Sequence, residues 1–275
     1  MELRFETCIE VRRLLCAFQI LSGSRIPDGM LKYPELFGDT FVALSGVLAY
    51  IERKQGGFAA AFRDVIAGNV ATELAQPLDK LSAMIDDPEL IERAQRVITT
   101  SLSDHGDAVA SAIKETFGFS MPRSTTIVIG SWSGNNNSGH MIDVADDDVL
   151  ITFSVTPTLQ NDRMLGILVH ELLHGLIQSS GIFVRSKKAS MVEELLLEYS
   201  VPYGFLAERI GMAAKMNLQQ AYENSIWRNY PEDLSKQVRK VIEEYIAKGD
   251  SSMIWEGVGQ VFPDCVNDEA IISLV

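Results

Sequence analysis

Apolar positions recur at three- and four-residue spacing over 3–21, 40–53, 58–74 and 89–102, with breaks at SGSRIPDG (22–29), QGG (55–57) and DDP (86–88). Such spacing lines one face of a helix, so the first hundred or so residues are read as wholly helical. Small residues in GGFAAAFRDVIAG fit close helix packing rather than a loop. The pattern changes near residue 104. A helix over DHGDAVASAIKETFGF leads into the β-branched run TTIVIG (125–130), bounded by Pro122 and Gly134, and a second strand is predicted over VLITFSV (149–155). Between them SGNNNSGH (133–140) reads as a hairpin connection, and Asp146, Asp147 and Asp148 as a solvated turn, because no spaced DxDxDG pattern follows for calcium. Thr156 and Pro157 offer an N-cap and first-turn proline for a long apolar helix that stops at Gly181. Ser190 and Glu193 have the spacing of a capping box, which places the start of the next helix at 190, and further helices follow, including 231–249. The fold class is α+β and mostly helical: an all-α region over 1–103, then a mixed domain with a small sheet over 104–275.

Composition narrows the partners. A formal charge of −13 on 275 residues would repel a phosphate backbone, so no nucleic-acid partner is expected. The three cysteines, Cys8, Cys16 and Cys265, have no zinc-finger or CxxC spacing and give no disulfide framework, which fits a reducing compartment. The N-terminal stretch has no signal-peptide pattern, and the longest apolar run, FVALSGVLAYI (41–51), is too short to span a bilayer. A soluble, cytoplasmic protein without membrane contact is expected; its oligomeric state is not legible.

The apolar helix carries an anomaly, HELLH at 170–174, which holds two of the chain's four histidines. Residues four apart share a helical face, so His170 and His174 can point at one ion. Imidazole nitrogens suit Zn²⁺, and Glu171 is placed to act on a metal-bound water as general base. As mere core residues, this trio would bury a carboxylate at considerable cost. A catalytic zinc site needs a third protein ligand. No histidine follows His174, which excludes the longer HExxHxxGxxH pattern, and the upstream cysteines lie far away in the first predicted helix. What remains is a glutamate on the following helix, where Glu194 lies twenty positions after His174 and Glu193 is its neighbour.

HELLH followed by MVEELLLEYS (191–200) resembles the gluzincin, or peptidase MA-like, zinc metallopeptidases. Their second helix reads W-L-x-E-G-x-A-x-Y; here Glu194 occupies the ligand position and Tyr199 the aromatic end, while Leu195 replaces the glycine and Met191 the leading aromatic, marking a divergent member. The resemblance covers 104–275 and implies a zincin-like catalytic domain that hydrolyses peptide bonds. It implies zinc on His170, His174 and Glu194 with Glu171 as base. It also implies a peptide or protein substrate laid along an edge strand, here 151–155, by backbone pairing. Glu193 reads as the capping-box residue, with direct ligation as its alternative. Glu198, four residues after Glu194, is the candidate to orient a ligand histidine. The resemblance also implies a tyrosine or histidine donor to the oxyanion. With no late histidine, the candidates are Tyr199, Tyr203, Tyr222, Tyr230 and Tyr245, while His105 and His140 read as surface residues. The alternative from another class is a zinc-binding regulatory or interaction protein with a latent or vestigial protease site, the N-terminal helices serving as binding surface or cover.

Overall fold

The run TTIVIG lies inside β2 (Ser124–Ser131), buried along its whole length, as is β4 (Asp148–Val155). Continuous apolar and β-branched residues suit strands covered on both faces. A computed structural model describes residues 1–6, 10–12, 14, 15, 18, 51, 56–69, 87–131, 138–157, 159, 161–202, 204–212, 230–248 and 252–273. The helix expected over 40–53 lies almost wholly outside them, as do Cys8, Cys16, Tyr203 and Tyr222. The chain divides into two compact units.

The first unit comprises 2–97 and 124–159 and holds a four-stranded sheet in the order β1-β2-β4-β3, where β1 is Glu2–Glu6 and β3 is Ser138–Ala145. β1 pairs parallel with β2 (Leu3 opposite Thr125), β2 parallel with β4 (Ile127 opposite Ile151), and β3 antiparallel with β4 (His140 opposite Thr152). Three expectations change here. Residues 2–6 form a strand rather than the start of a helix, and Glu10, the next described residue, is helical. Because β1 joins the sheet, the units cut across the expected boundary at 103/104. Finally, 151–155 is not an edge: β4 is hydrogen-bonded on both sides, so its backbone cannot accept an added strand, and among the described residues the outer strands are β1 and β3.

The β3–β4 turn has Asp146 and Asp147 at φ 51° and 61°, the conformation of a two-residue type I′ hairpin. Asp148 is no solvated turn residue. It accepts from Ser124 Oγ at 2.7 Å, Thr126 Oγ1 at 3.1 Å and Arg63 Nη1 at 2.6 Å, and Arg63 also reaches Asp143 at 3.0 Å. Arg63 thereby ties α1 (Gly57–Ile66) to the strand ends.

The second unit comprises Met1, 98–123 and 160–275. The helix α2 (Pro88–Phe117) runs without a break through the two helices expected over 89–119, and its residues from Ile98 on belong to this unit. α3 (Asn161–Ser180) carries HELLH. It begins four residues beyond Pro157, so Thr156 and Pro157 do not cap it, and it ends at Gly181, whose φ of 67° is the left-handed stop that glycine provides. Next come α4 (Lys187–Glu198), α5 (Glu232–Lys248), α6 (Ser252–Val261) and α7 (Asp268–Ile272). Leu165, Val169, Leu173 and Ile177 of α3 share a core with Val192, Leu195 and Leu196 of α4. The core is closed by Trp255, whose Nε1 donates to the Phe117 carbonyl at 2.8 Å. No described helix is long and apolar enough to cross a membrane.

Candidate metal centre

α3 is buried on nearly every side from Met164 to Leu173, so its polar trio sits in the interior: His170 and Glu171 are each 7% exposed. α4 supplies the other half. Its start is fixed by Ser186, whose Oγ accepts from the Ala189 backbone N–H at 3.0 Å; the capping box expected at Ser190 does not form. The connection into α4 is held from behind: Val184 N–H donates to the Cys265 carbonyl at 2.9 Å, Asn267 N–H to the Ile182 carbonyl at 2.7 Å, and Lys188 pairs with Asp264 at 2.9 Å. With Val192, Leu195 and Leu196 drawn into the core, the intervening Glu193 and Glu194 face the histidines.

His170, His174 and Glu194 form a group able to hold a metal ion. His170 Nε2 and His174 Nε2 are 3.2 Å apart, Glu194 Oε2 lies 3.1 Å from His174 Nε2, and Glu194 Oε1 lies 3.5 Å from His170 Nε2. A tetrahedral ion bound at about 2.0–2.1 Å sets its ligand atoms about 3.3 Å apart, so the three donors already stand at the separations such an ion imposes. The side chains of His174 and Glu194 each keep 17% exposure, so the group is not sealed. Glu171, the next residue after His170, stays within electrostatic range of both rings.

Charge reflects this crowding. Burial opposes protonation of His174, but hydrogen bonds to Glu193 and Glu194 carry its pKa well above the ordinary imidazole value. His170 is raised too, its burial outweighed by the bond to Glu194 and the charge of Glu171. Burial alone would push the Glu194 carboxyl up, but the two histidines hold it well below the usual carboxylate range. A pocket that gathers and stabilises positive charge among carboxylates has the electrostatics of a cation site.

The remaining candidates separate clearly. Glu193, expected as a cap, instead accepts from His174 Nδ1 at 2.7 Å. His170 Nδ1 makes a long bond, 3.4 Å, to the Val201 carbonyl. Both outward-facing ring nitrogens are thus engaged, that of His174 by the Glu193 carboxylate and that of His170 by a main-chain carbonyl. Tyr199 is buried with its hydroxyl bonded to Ser235, and Tyr245 donates to Thr116 Oγ1 at 3.2 Å, so both are committed to the core. Tyr230 lies within electrostatic range of Glu194 and Glu198, and burial together with those charges pushes its pKa up to about 12. His105 and His140 are half-buried rather than superficial: His105 packs over Gly211, and His140 stands edge-on to Phe18 at 5.6 Å. The sequence held no sign favouring Tyr230, because nothing local links it to Glu194.

One glycine matters to this geometry. A Cβ at Gly166, one turn before His170, would lie 2.4 Å from Pro202 Cβ and 2.9 Å from Pro202 Cα. Its absence lets the 201–202 backbone approach α3 and bring the Val201 carbonyl to His170. Gly166→Ala gains up to about 1 kcal/mol of helix propensity. Overpacking against backbone costs about 1–3 kcal/mol, so the clash wins. The expected outcome is a lower melting temperature together with weaker metal binding; a more stable variant would show that the segment yields freely.

No protein-family model, curated protein or solved structure matches this chain.

Proposed function

We propose that the chain is a zinc-dependent metallopeptidase of the HExxH-plus-glutamate type, with a zincin-like arrangement of α3 and α4 and Glu171 as general base. The observation that carries this reading is the convergence of His170 Nε2, His174 Nε2 and the Glu194 carboxylate at tetrahedral separations, with Glu171 on the same helical turn. Two imidazoles and a carboxylate suit zinc and leave one position for water or substrate. A zinc ion held by His170, His174 and Glu194 would supply Lewis acidity and activate a water for attack. Glu171 takes the proton from the attacking water and returns it to the leaving amine. Among the described tyrosines Tyr230 is the one in electrostatic range of Glu194, which makes it the candidate to donate to the developing oxyanion.

Elemental analysis of the purified protein tests the metal, and a peptide library tests the reaction. About one zinc per chain is expected, lost on Glu194→Ala, with cleavage of library peptides by the wild type. A wild type that stays metal-free after zinc incubation defeats the proposal, and iron in place of zinc would redirect it to oxidative chemistry. Tyr230→Phe is expected to lower kcat by about 10²–10³-fold while zinc content and KM hold. An unchanged kcat would remove Tyr230 from the mechanism.

A further inference from the structure

We infer that Glu193, the residue immediately before the ligand Glu194, is the positioning residue that fixes His174 for the metal; this rests on the metal reading above. Consecutive residues on a helix point about 100° apart, which lets the pair Glu193–Glu194 straddle one imidazole. Glu193 Oε1 stands 2.7 Å from His174 Nδ1, and Glu194 Oε2 stands 3.1 Å from His174 Nε2. A ring that donates Nδ1–H to a carboxylate presents its lone pair at Nε2, and Nε2 is the atom that meets His170 Nε2 at 3.2 Å.

The two histidines are held unequally. His174 has a short bond to a charged partner from a side chain, whereas His170 has a 3.4 Å bond to a neutral main-chain carbonyl. Charge-assisted bonds are roughly twice as strong as neutral ones, so His174 is the more firmly oriented and more basic ligand. Glu193 therefore acts on the metal through the ring and not as a ligand, since its carboxylate lies on the far nitrogen.

The test measures zinc affinity of the full chain by competition with a chromophoric chelator, and geometry by the visible absorption of the cobalt-substituted protein. Glu193→Ala is expected to weaken zinc binding about 10–100-fold, with an altered cobalt spectrum. Glu193→Gln, which retains an acceptor oxygen without the charge and fills the same space, is expected to fall between wild type and alanine. Glu198→Ala is expected to bind zinc as the wild type does. Unchanged affinity in both Glu193 variants overturns the inference, as does a loss confined to Glu198→Ala. Complete zinc loss in Glu193→Gln, matching Glu194→Ala, makes Glu193 a ligand and overturns it too. A wild type that binds no zinc defeats the underlying metal reading itself, an outcome separate from any of these.

Discussion

Glu171→Gln is expected to keep its zinc and lose peptide hydrolysis, with kcat lower by about 10²–10⁴-fold. The separation of the two readouts follows from where the side chain stands. The donors that converge are His170, His174 and Glu194; Glu171 belongs to the same turn but is not in the group. Removing its charge therefore leaves the donor set complete. Glu171 is 7% exposed, in a helix buried nearly all round, so a shorter residue would open a cavity. Glutamine fills the same volume and keeps a hydrogen-bonding head, but has no basic oxygen to take a proton. Zinc content and melting temperature close to wild type, with turnover gone, isolate the proton transfer. Retained turnover would exclude Glu171 as the base. A wild type that binds zinc yet cleaves nothing, and whose zinc Glu171→Gln leaves undisturbed, would favour the regulatory reading.

What the sequence disclosed and what it hid differ in range. The spacing of His170 and His174 is a local helical fact, and Glu194 sits on the next helix, so the three donors were legible before any fold was known. The stop at Gly181 and the turn at 146–147 were equally local, each set by backbone conformation. The misses that shaped the sheet and the site were decided at a distance. Residues 2–6 become a strand by pairing with 124–128, a partner far along the chain that no periodicity within 3–21 reveals. Ser138, Gly139 and His140, read as part of a hairpin connection, instead begin β3, whose residues are half-buried throughout without alternation. Its place beside β4 removed 151–155 from the edge. At α4 two serines competed for the cap. Ser190 had the better local pattern with Glu193, but Glu193 is drawn away by His174, and Ser186 takes the cap. The contact between Glu193 and His174, nineteen residues apart on different helices, likewise needed the folded chain.

Removing the metal is expected to reverse the pH dependence of stability. In the metal-free protein His170 and His174 both have raised pKa values. A raised folded-state pKa stabilises the fold fully below the unfolded value of about 6.5 and loses that contribution as pH rises through the raised value. Glu194 is depressed, so its contribution is present above about 4.5 and is lost only in stronger acid. These are two sides of one set of ion pairs, so they are not added. The metal-free protein is therefore most stable between about pH 4.5 and 6.5 and weakens above that. Each histidine that stays protonated in the folded but not the unfolded chain costs about 1.4 kcal/mol per pH unit there. Zinc demands the opposite protonation: it needs both rings neutral, so its binding releases protons and strengthens as pH rises. Melting curves at pH 5.5, 7 and 8.5, with zinc and with chelator, should show a gap between the two forms that widens steadily with pH. The metal-free curve alone should fall across that range, and His170→Asn combined with His174→Asn should flatten it. A metal-free melting temperature that holds level or climbs from pH 6 to 8.5 would mean that the two rings are neutral in the folded chain, and the charge balance drawn for the centre would be wrong.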